Sequence, residues 1–537
     1  MNENNENFAN AMPYQQQQAY LPPYGNTVPQ YVAKPKPTFT KNEKILSVLV
    51  AILSFLFVHF VLWNTRGFFT SAFYIAALTV SLTYLTKCEY KFSTSHKVWS
   101  VIMYCFSTVF SLTDNNFIKQ LDSIFLHIGI AYLIYSVTSK RQLFGRYSVF
   151  EIVKCNLGDP FSHFGAEYSA INSTVKSTKT GTNLKAVIGG LILALPLTLV
   201  VAALLMSADE GVASMLHSLA LAVNMDNVFS LIAQIAVSIP VAGYLFGLIY
   251  SHTHPEITKP LIEENCDQTT FKLRIVSNIA LYASITPICI LYILFFVSQA
   301  NYFLSAFSGD LPKQFSYAEY ARRGFFELFA IELINAGVIF FINFFAKNTG
   351  KNKPAPLKFY TVTVSVFTLL ITATAVSKMV LYIQNYGLTQ LRVYTTWFML
   401  LTALIFVFVI IKQFKIDFQI IRTFAVVFTI FFAALCFSRP DALIARYNME
   451  NCMDSLSYND IYDMVSLSAD AAAVVLEPEY RTDINEKYAI KNKAFNNAPG
   501  PNAGYEELCR FSNAVLNHSD YNKFNYSSLK LISMLDS

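Results

Sequence analysis

The feature that most restricts this chain is a succession of apolar blocks, each about as long as a bilayer is thick, separated by short polar loops. A hydrocarbon core of about 30 Å needs roughly 20 apolar residues in a helix that rises about 1.5 Å per residue. By that ruler about eleven spans are predicted. They cover residues 45–63, 67–85, 98–113, 121–138, 186–206, 231–250, 275–299, 325–346, 359–384, 393–411 and 420–437. The third and fourth are short and are joined by a polar stretch, DNNFIKQLD. Composition agrees: of 537 residues 54% are hydrophobic and 14% are charged, and the mean hydropathy is +0.39, beyond an ordinary soluble chain. The fold class expected is an all-α integral membrane protein, a polytopic bundle of about 11 transmembrane helices with a small, mainly helical C-terminal extracytoplasmic segment. The net charge of +5 is small, and its cations lie between apolar blocks rather than on one basic face, which excludes nucleic acid as a partner. The bilayer itself is the first partner.

Residues 1–44 are rich in Asn, Gln, Pro and Tyr and bury too little apolar surface to offset the entropy of ordering. They read as a disordered cytoplasmic tail ahead of a transmembrane domain over 45–437. No basic n-region with an early apolar core precedes the first block, so that block is expected to stay as an anchor. Lys and Arg concentrate in alternate loops, such as TKCEYKFSTSHK and KNTGKNKPAPLK. The positive-inside rule then puts the N-terminus inside and, with an odd number of spans, residues 438–537 outside.

That C-terminal segment has more acids than bases and no further apolar block. Ile444, Tyr447, Met453, Leu456, Ile461, Met464 and Leu467 recur mostly at helical spacing, whereas APGPNAG at 498–504 reads as a loop. Its two cysteines, Cys452 and Cys509, would form a disulfide in an oxidising exterior; two free buried thiols are the equal alternative.

A few charges need a reason to sit beside apolar helices. In SYAEYARRGFFELFAIEL, residues 316–333, Ser316 and Glu319 fit a capping box, and Glu319, Arg323 and Glu327 follow at i, i+4, i+8. Arg322, Arg323 and Arg392 fall in outer loops, where they either meet lipid phosphates or belong to a polar site. Gly387 reads as the stop of the ninth span and Thr389 as the N-cap of the tenth. Arg392 then lies in a first turn, where a cation calls for a negative partner. Glu332 and Lys378 lie at matching depths of roughly 10 and 12 Å on adjacent antiparallel helices and are expected to pair, either as a structural ion pair or in a polar cavity. The candidate polar site is therefore Glu327, Glu332, Lys378, Arg322, Arg323 and Arg392. His252 and His254 read as part of a solvated loop, and His59 and His127 as helix-packing hydrogen-bonders. No metal site, cofactor or catalytic group is expected: HExxH, P-loop, G-x-S-x-G and dinucleotide patterns are all missing.

SYAEYARRGFFEL, YGLTQLRVYT at 386–395, RPDALIARYN at 439–448 and LSADAA at 467–472 resemble the recurring motifs of a bacterial membrane-protein family known as domain of unknown function 4173, with a close relative numbered 4153. SAD at 207–209 matches a further motif of that family more weakly. The resemblance spans roughly 186–475 and implies a multi-pass protein of the bacterial cytoplasmic membrane without an assigned reaction. Three functions stay open. The first is a transporter-like protein with a polar site near the outer leaflet, acting on a small molecule or ion. The second is a cell-envelope sensor or assembly protein with an envelope partner. The third is a lipid-phosphate-handling membrane enzyme using Arg322, Arg323 and Arg392. The topology has a direct check. A cysteine at position 351 is expected to react with a membrane-impermeant thiol reagent only after cells are opened, and one at position 310 in intact cells. The reverse pattern overturns the orientation.

Overall fold

The computed structural model describes residues 39–64, 66–176, 225–255, 260–308, 325–347, 353–493, 500–517 and 524–536, with a few isolated positions between them. Among these residues nine helices are long and apolar enough to cross a membrane. The first, α1 (Lys41–Phe57, continued by a π-helical turn Val58–Trp63), starts earlier than expected. The Thr40 hydroxyl accepts the Glu43 N–H at 3.3 Å, and the Glu43 carboxylate accepts the Thr40 N–H at 2.7 Å, so a capping box fixes the helix start inside the expected tail. Residues 1–38 of that tail lie outside the described residues.

Two expected spans are not among the nine. Residues 186–206 fall almost wholly outside the described residues. Residues 98–113 form two helices, α3 (Thr94–Ser107) and α4 (Val109–Leu112), after α2 (Phe68–Lys87). The break is at Thr108, whose hydroxyl donates to the Cys105 carbonyl at 2.7 Å. The broken pair still runs antiparallel to α5 (Asn116–Thr138) over most of its length. His96 meets Ser136 at 3.0 Å, Trp99 donates to the Gly129 carbonyl at 3.2 Å, and the Phe106 and Phe125 rings are 4.7 Å apart. Gly129 permits this approach, since a Cβ there would sit 2.6 Å from the Met103 sulfur.

α6 (Ser148–Val153), a π-helical turn (Lys154–Gly158), α7 (Asp159–Ser162) and α8 (Ala166–Lys176) then lead to α9 (Met225–Thr253). α1 and α9 are antiparallel: His254 faces Glu43 at 3.1 Å, and His59 meets Gln234 at 2.7 Å. His127 bonds Tyr244 at 2.9 Å, so both isolated histidines tie helices together. His252 and His254 are not in a solvated loop. The chain after α5 folds back over them, so His252 is buried 3.6 Å from Asp159 and His254 stacks on Tyr250. From there Pro160 and Phe164 pass Gly247 and Gly243, and the Tyr168 hydroxyl donates to the Ile239 carbonyl at 3.0 Å. Ile239 is about 21 Å along α9 from Thr253. The polar helix α8 therefore packs at membrane depth, beside Pro240, which removes a backbone donor from α9.

A second group of helices follows α10 (Glu263–Leu273): α11 (Asn278–Ser308), α12 (Phe325–Phe345), α13 (Ala355–Tyr386), α14 (Gln390–Phe414) and α15 (Ile420–Phe437). Tyr292 donates to Asn335 at 2.5 Å and Asn335 to Thr368 at 2.9 Å, joining α11, α12 and α13 where water cannot. α15 bridges the two groups, with Phe432 stacked on Phe106 at 5.5 Å and packed on Phe125 at 5.1 Å.

The remaining helices are α16 (Pro440–Asn451), α17 (Tyr458–Leu467), α18 (Ala469–Val475), α19 (Arg481–Lys493), α20 (Ala503–Asn517) and α21 (Tyr526–Leu535). Ile461, Met464, Val475, Ile484, Leu508 and Leu531 form their shared core, with Met453, Leu456 and Leu467 at its edge. Cys452 and Cys509 are both free thiols. Of the two alternatives for this pair, free thiols are what is seen: Cys452 lies against Gly387, while Cys509 packs against the core.

Gly387 ends α13 at φ +72° with its N–H on the Ile383 carbonyl at 2.8 Å, as the sequence implies. A Cβ there would collide with the Asn448 amide, which holds both the N–H (2.6 Å) and the carbonyl (2.9 Å) of Leu388. Gly387→Ala is expected to destabilise the protein by roughly 1–3 kcal/mol. Gly337→Ala, in an open position of α12, should be neutral or mildly stabilising. Thermal unfolding in detergent compares the two.

Candidate functional site

At one end of the bundle, three loops and the C-terminal helices converge on buried acids. Asn115 caps α5, its side chain accepting the Ile118 N–H at 3.0 Å. That cap holds Thr113 and Asp114 against α18. Arg439, in a left-handed conformation at φ 52°, turns the chain from α15 into α16, with Pro440 as the first helical residue.

Asp470, fully buried, is the hub. Its Oδ2 accepts the Thr113 hydroxyl at 2.5 Å and the Asp114 N–H at 2.7 Å. Its Oδ1 accepts Arg439 Nε at 2.8 Å and lies against the Ser527 hydroxyl, which also receives Arg439 Nη2 at 2.7 Å. Asp114 accepts Lys119 Nζ at 3.2 Å, Asn525 Nδ2 at 2.9 Å and the Ala469 N–H at 3.2 Å. Lys119 is 1% exposed. Asp441, also fully buried, accepts neutral donors among the described residues: Asn115 Nδ2, Ser468 Oγ and Gln390 Nε2, each at 2.8 Å. Burial holds the Asp441 carboxyl above the usual range, against the downward pull of those donors. Asn115 also donates to the Tyr394 hydroxyl at 2.7 Å, which brings α14 into the network.

One turn beyond Lys119 on α5 lies Asp122. It is fully buried, and neither carboxylate oxygen has a hydrogen-bond partner among the described residues. Its surroundings include Tyr74, which bonds Ser123 at 2.6 Å, and Cys436. Two other carboxylates share this state: Glu332 on α12 and Glu167 on α8. Among the described residues no group of three or more His, Cys, Asp or Glu is arranged to hold a metal.

Of the residues expected to form a site, Glu327, Glu332, Lys378 and Arg392 are among the described residues. Arg322 and Arg323 lie outside the described residues. Glu332 takes no hydrogen bond from the described residues; the Thr372 hydroxyl beside it donates into its own helix, to the Thr368 carbonyl at 2.9 Å. The expected pairing with Lys378 is absent. Among the described residues the exposed acid Glu327 acts on the Lys378 charge. Matching depth did not bring Glu332 and Lys378 together, because side-chain direction around the helix also decides contact. Arg392 does find negative partners, but they are backbone: it donates to the Tyr386 carbonyl at 2.9 Å and to that of Gly387, with its guanidinium 4.0 Å from the Tyr382 ring centre. It caps the C-terminal pole of α13, so no acid or bound anion is required.

Asp114, Lys119, Arg439, Asp441 and Asp470 were not singled out from sequence. Their signal lay in the polar stretch DNNFIKQLD and in the motifs RPDALIARYN and LSADAA, which the fold brings together with YGLTQLRVYT. The network carries a clear energetic expectation. Arg439→Ala and Asp470→Ala should each destabilise the protein by about 3–5 kcal/mol, since each strands a buried partner. The double variant should lose clearly less than the sum of the two. Arg446→Ala, which removes an exposed pair with Glu477 at 3.5 Å, should cost under about 1 kcal/mol. Additive losses in the Arg439–Asp470 cycle would refute the coupling.

No curated protein and no solved structure matches the chain. A family model does match, over residues 100–477, and its family is the one that the motifs suggest as the close relative. The match holds Thr113 to Lys119, Gln390, Tyr394, Arg439, Asp441, Ser468 and Asp470, and stops before Asn525 and Ser527. The chain, a multi-pass helical membrane protein, belongs to the family described as Domain of unknown function (DUF4153).

Proposed function

We propose that this protein is a transporter-like protein of the bacterial cytoplasmic membrane, N-terminus inside and C-terminus outside. It moves a small molecule or ion, and carboxyl groups at membrane depth beside the polar junction carry the coupling charge. The observation behind this reading is Asp122, fully buried below the Lys119–Asp114 pair with neither oxygen hydrogen-bonded, a state repeated by Glu332 in the second group of helices. An ionised carboxylate with no donor at that depth costs several kcal/mol. Such a group is retained where another conformation brings it a proton, a cation or water.

A second reading, an envelope sensor or assembly protein, draws on a different observation. The network on Asp470 fixes the C-terminal helices to both α5 and the α15–α16 turn, so a partner on those helices would act directly on the bundle. The enzyme reading loses one of its three cations, because Arg392 is occupied by carbonyls.

The test is proton flux in vesicles. Reconstituted protein with an entrapped pH dye should collapse an imposed pH gradient faster than empty vesicles. Asp122→Asn and Glu332→Gln, with unchanged melting temperature, should each slow this at least about tenfold, as expected for loss of a coupling group. Dicyclohexylcarbodiimide, a hydrophobic reagent for protonated carboxyls, should label both positions. Wild-type flux in both variants refutes the transporter reading. If an envelope protein is cross-linked to the C-terminal helices at the same time, the sensor reading replaces it.

A further inference from the structure

Between the two groups of helices lies an apolar cleft of about 670 Å³. Its walls are α3 and α5 on one side and α12, α14 and α15 on the other, with Trp99, Phe125, Trp397, Phe398, Phe424 and Phe432 prominent. The two indoles present carbon only, because Trp99 donates to the Gly129 carbonyl and Trp397 to the Phe431 carbonyl at 2.9 Å. Along α5 the cleft runs from Phe117 to Tyr132, and along α15 from Ile421 to Leu435. That is about 21 Å of helix, longer than one leaflet of a hydrocarbon core about 30 Å thick. A gap of this size and chemistry inside a bilayer takes hydrocarbon.

At the end away from the Asp470 junction the cleft meets a second pocket of about 450 Å³ with the opposite character. The two share Phe144 and Ile421 as walls. The second pocket is lined by Arg146, Lys412 and Arg422, with Asp417 as its one acid. Arg146 also pairs with the exposed Asp267 at 2.9 Å. Lys412 spends donors on the Phe418 carbonyl at 2.8 Å and on that of Ile416. Arg422 is exposed and has no ion pair among the described residues. The joint is held firmly: Phe144 sits at φ 58°, unusual for a residue with a side chain, with its N–H on the Tyr132 hydroxyl at 2.9 Å and its ring against Trp99 at 4.9 Å.

An apolar slot at membrane depth opening into a basic, water-facing pocket matches one class of molecule. We infer that an anionic phosphate-bearing lipid binds here, its hydrocarbon chain in the aromatic cleft and its phosphate held by Arg146 and Arg422, with Lys412 alongside. Arginine suits this role because its planar donors meet phosphate oxygens in pairs, and basic pockets between transmembrane helices select anionic headgroups. The inference is independent of the transport reading, since it rests on the cleft and its basic mouth.

The chain holds three tryptophans, and two of them line the cleft. In a Trp63→Phe background, full-length protein is placed in nanodiscs of phosphatidylcholine containing a minor fraction of chain-brominated phosphatidylglycerol, or the same fraction of chain-brominated phosphatidylcholine. Brominated phosphatidylglycerol should quench the cleft tryptophans at roughly tenfold lower mole fraction, the preference expected of two headgroup cations. Arg146→Gln with Arg422→Gln, both at exposed positions, should remove that preference while leaving the melting temperature unchanged. Ala425→Phe, which narrows the cleft from α15 and adds no tryptophan, should strongly reduce quenching of the cleft tryptophans by either lipid. Equal quenching by the two lipids in the parent protein, or a preference that survives the double arginine variant, overturns the proposal.

Discussion

Burying a carboxylate next to a bilayer is among the least favourable things a fold can do, and this chain builds one end of its structure on that act. Asp470 is shut away from water, yet each of its oxygens accepts at least one donor: a hydroxyl and a backbone N–H on one, a guanidinium on the other. The desolvation penalty of several kcal/mol per ion is offset only because the donors come already in place. They arrive from the α4–α5 loop and the α15–α16 turn, with Ser527 from α21 beside them. Removing Arg439 takes away the cation bonded to it. The same residues therefore set the geometry of α5, the end of α15 and the seat of the C-terminal helices.

The satisfied and unsatisfied acids form a sharp contrast. Asp114, Asp441 and Asp470 lie at the end of the bundle, where loops and helix starts supply free donors. Asp122, Glu167 and Glu332 lie within or beside helices whose backbone N–H groups are already used. No neighbouring side chain replaces those donors. Asp122 is separated from Asp114 by only the first two turns of α5, so the boundary between a compensated and an uncompensated carboxylate is crossed within about 10 Å.

The spans were legible because length and apolarity are local properties; nine of the expected helices stand where the sequence puts them. The span at 98–113 shows the limit of that ruler: Thr108 breaks the helix, while side-chain contacts on α5 carry the chain onward. Gly387 as a helix stop and Thr389 as an N-cap were also legible, because caps follow from two or three residues. The site was not. Asp114 and Asp470 are 356 positions apart, and nothing local in either marks the other as its neighbour. Arg392 was read as needing an acid because the dipole of its own helix was weighed, while the carbonyl end of the preceding helix, five or six residues back, was nearer. The charges within and just ahead of the apolar spans drew attention, while those in RPD at 439–441 and SAD at 468–470 hold the junction.

The junction and the cleft are joined through α15. Arg439 follows the end of that helix directly, and Phe432 and Leu435, within its last two turns, form part of the cleft wall. The stacking of Phe432 on Phe106 and its contact with Phe125 hold α15 to the first group of helices near the junction, while farther along the two groups stand apart and leave the gap. Packed side chains transmit displacement because interiors are dense and yield little. α15 borders both the junction, through Arg439 at its end, and the cleft, through Phe432 and Leu435. The Arg439–Asp470 pair and the apolar cleft thus share α15 as a common wall.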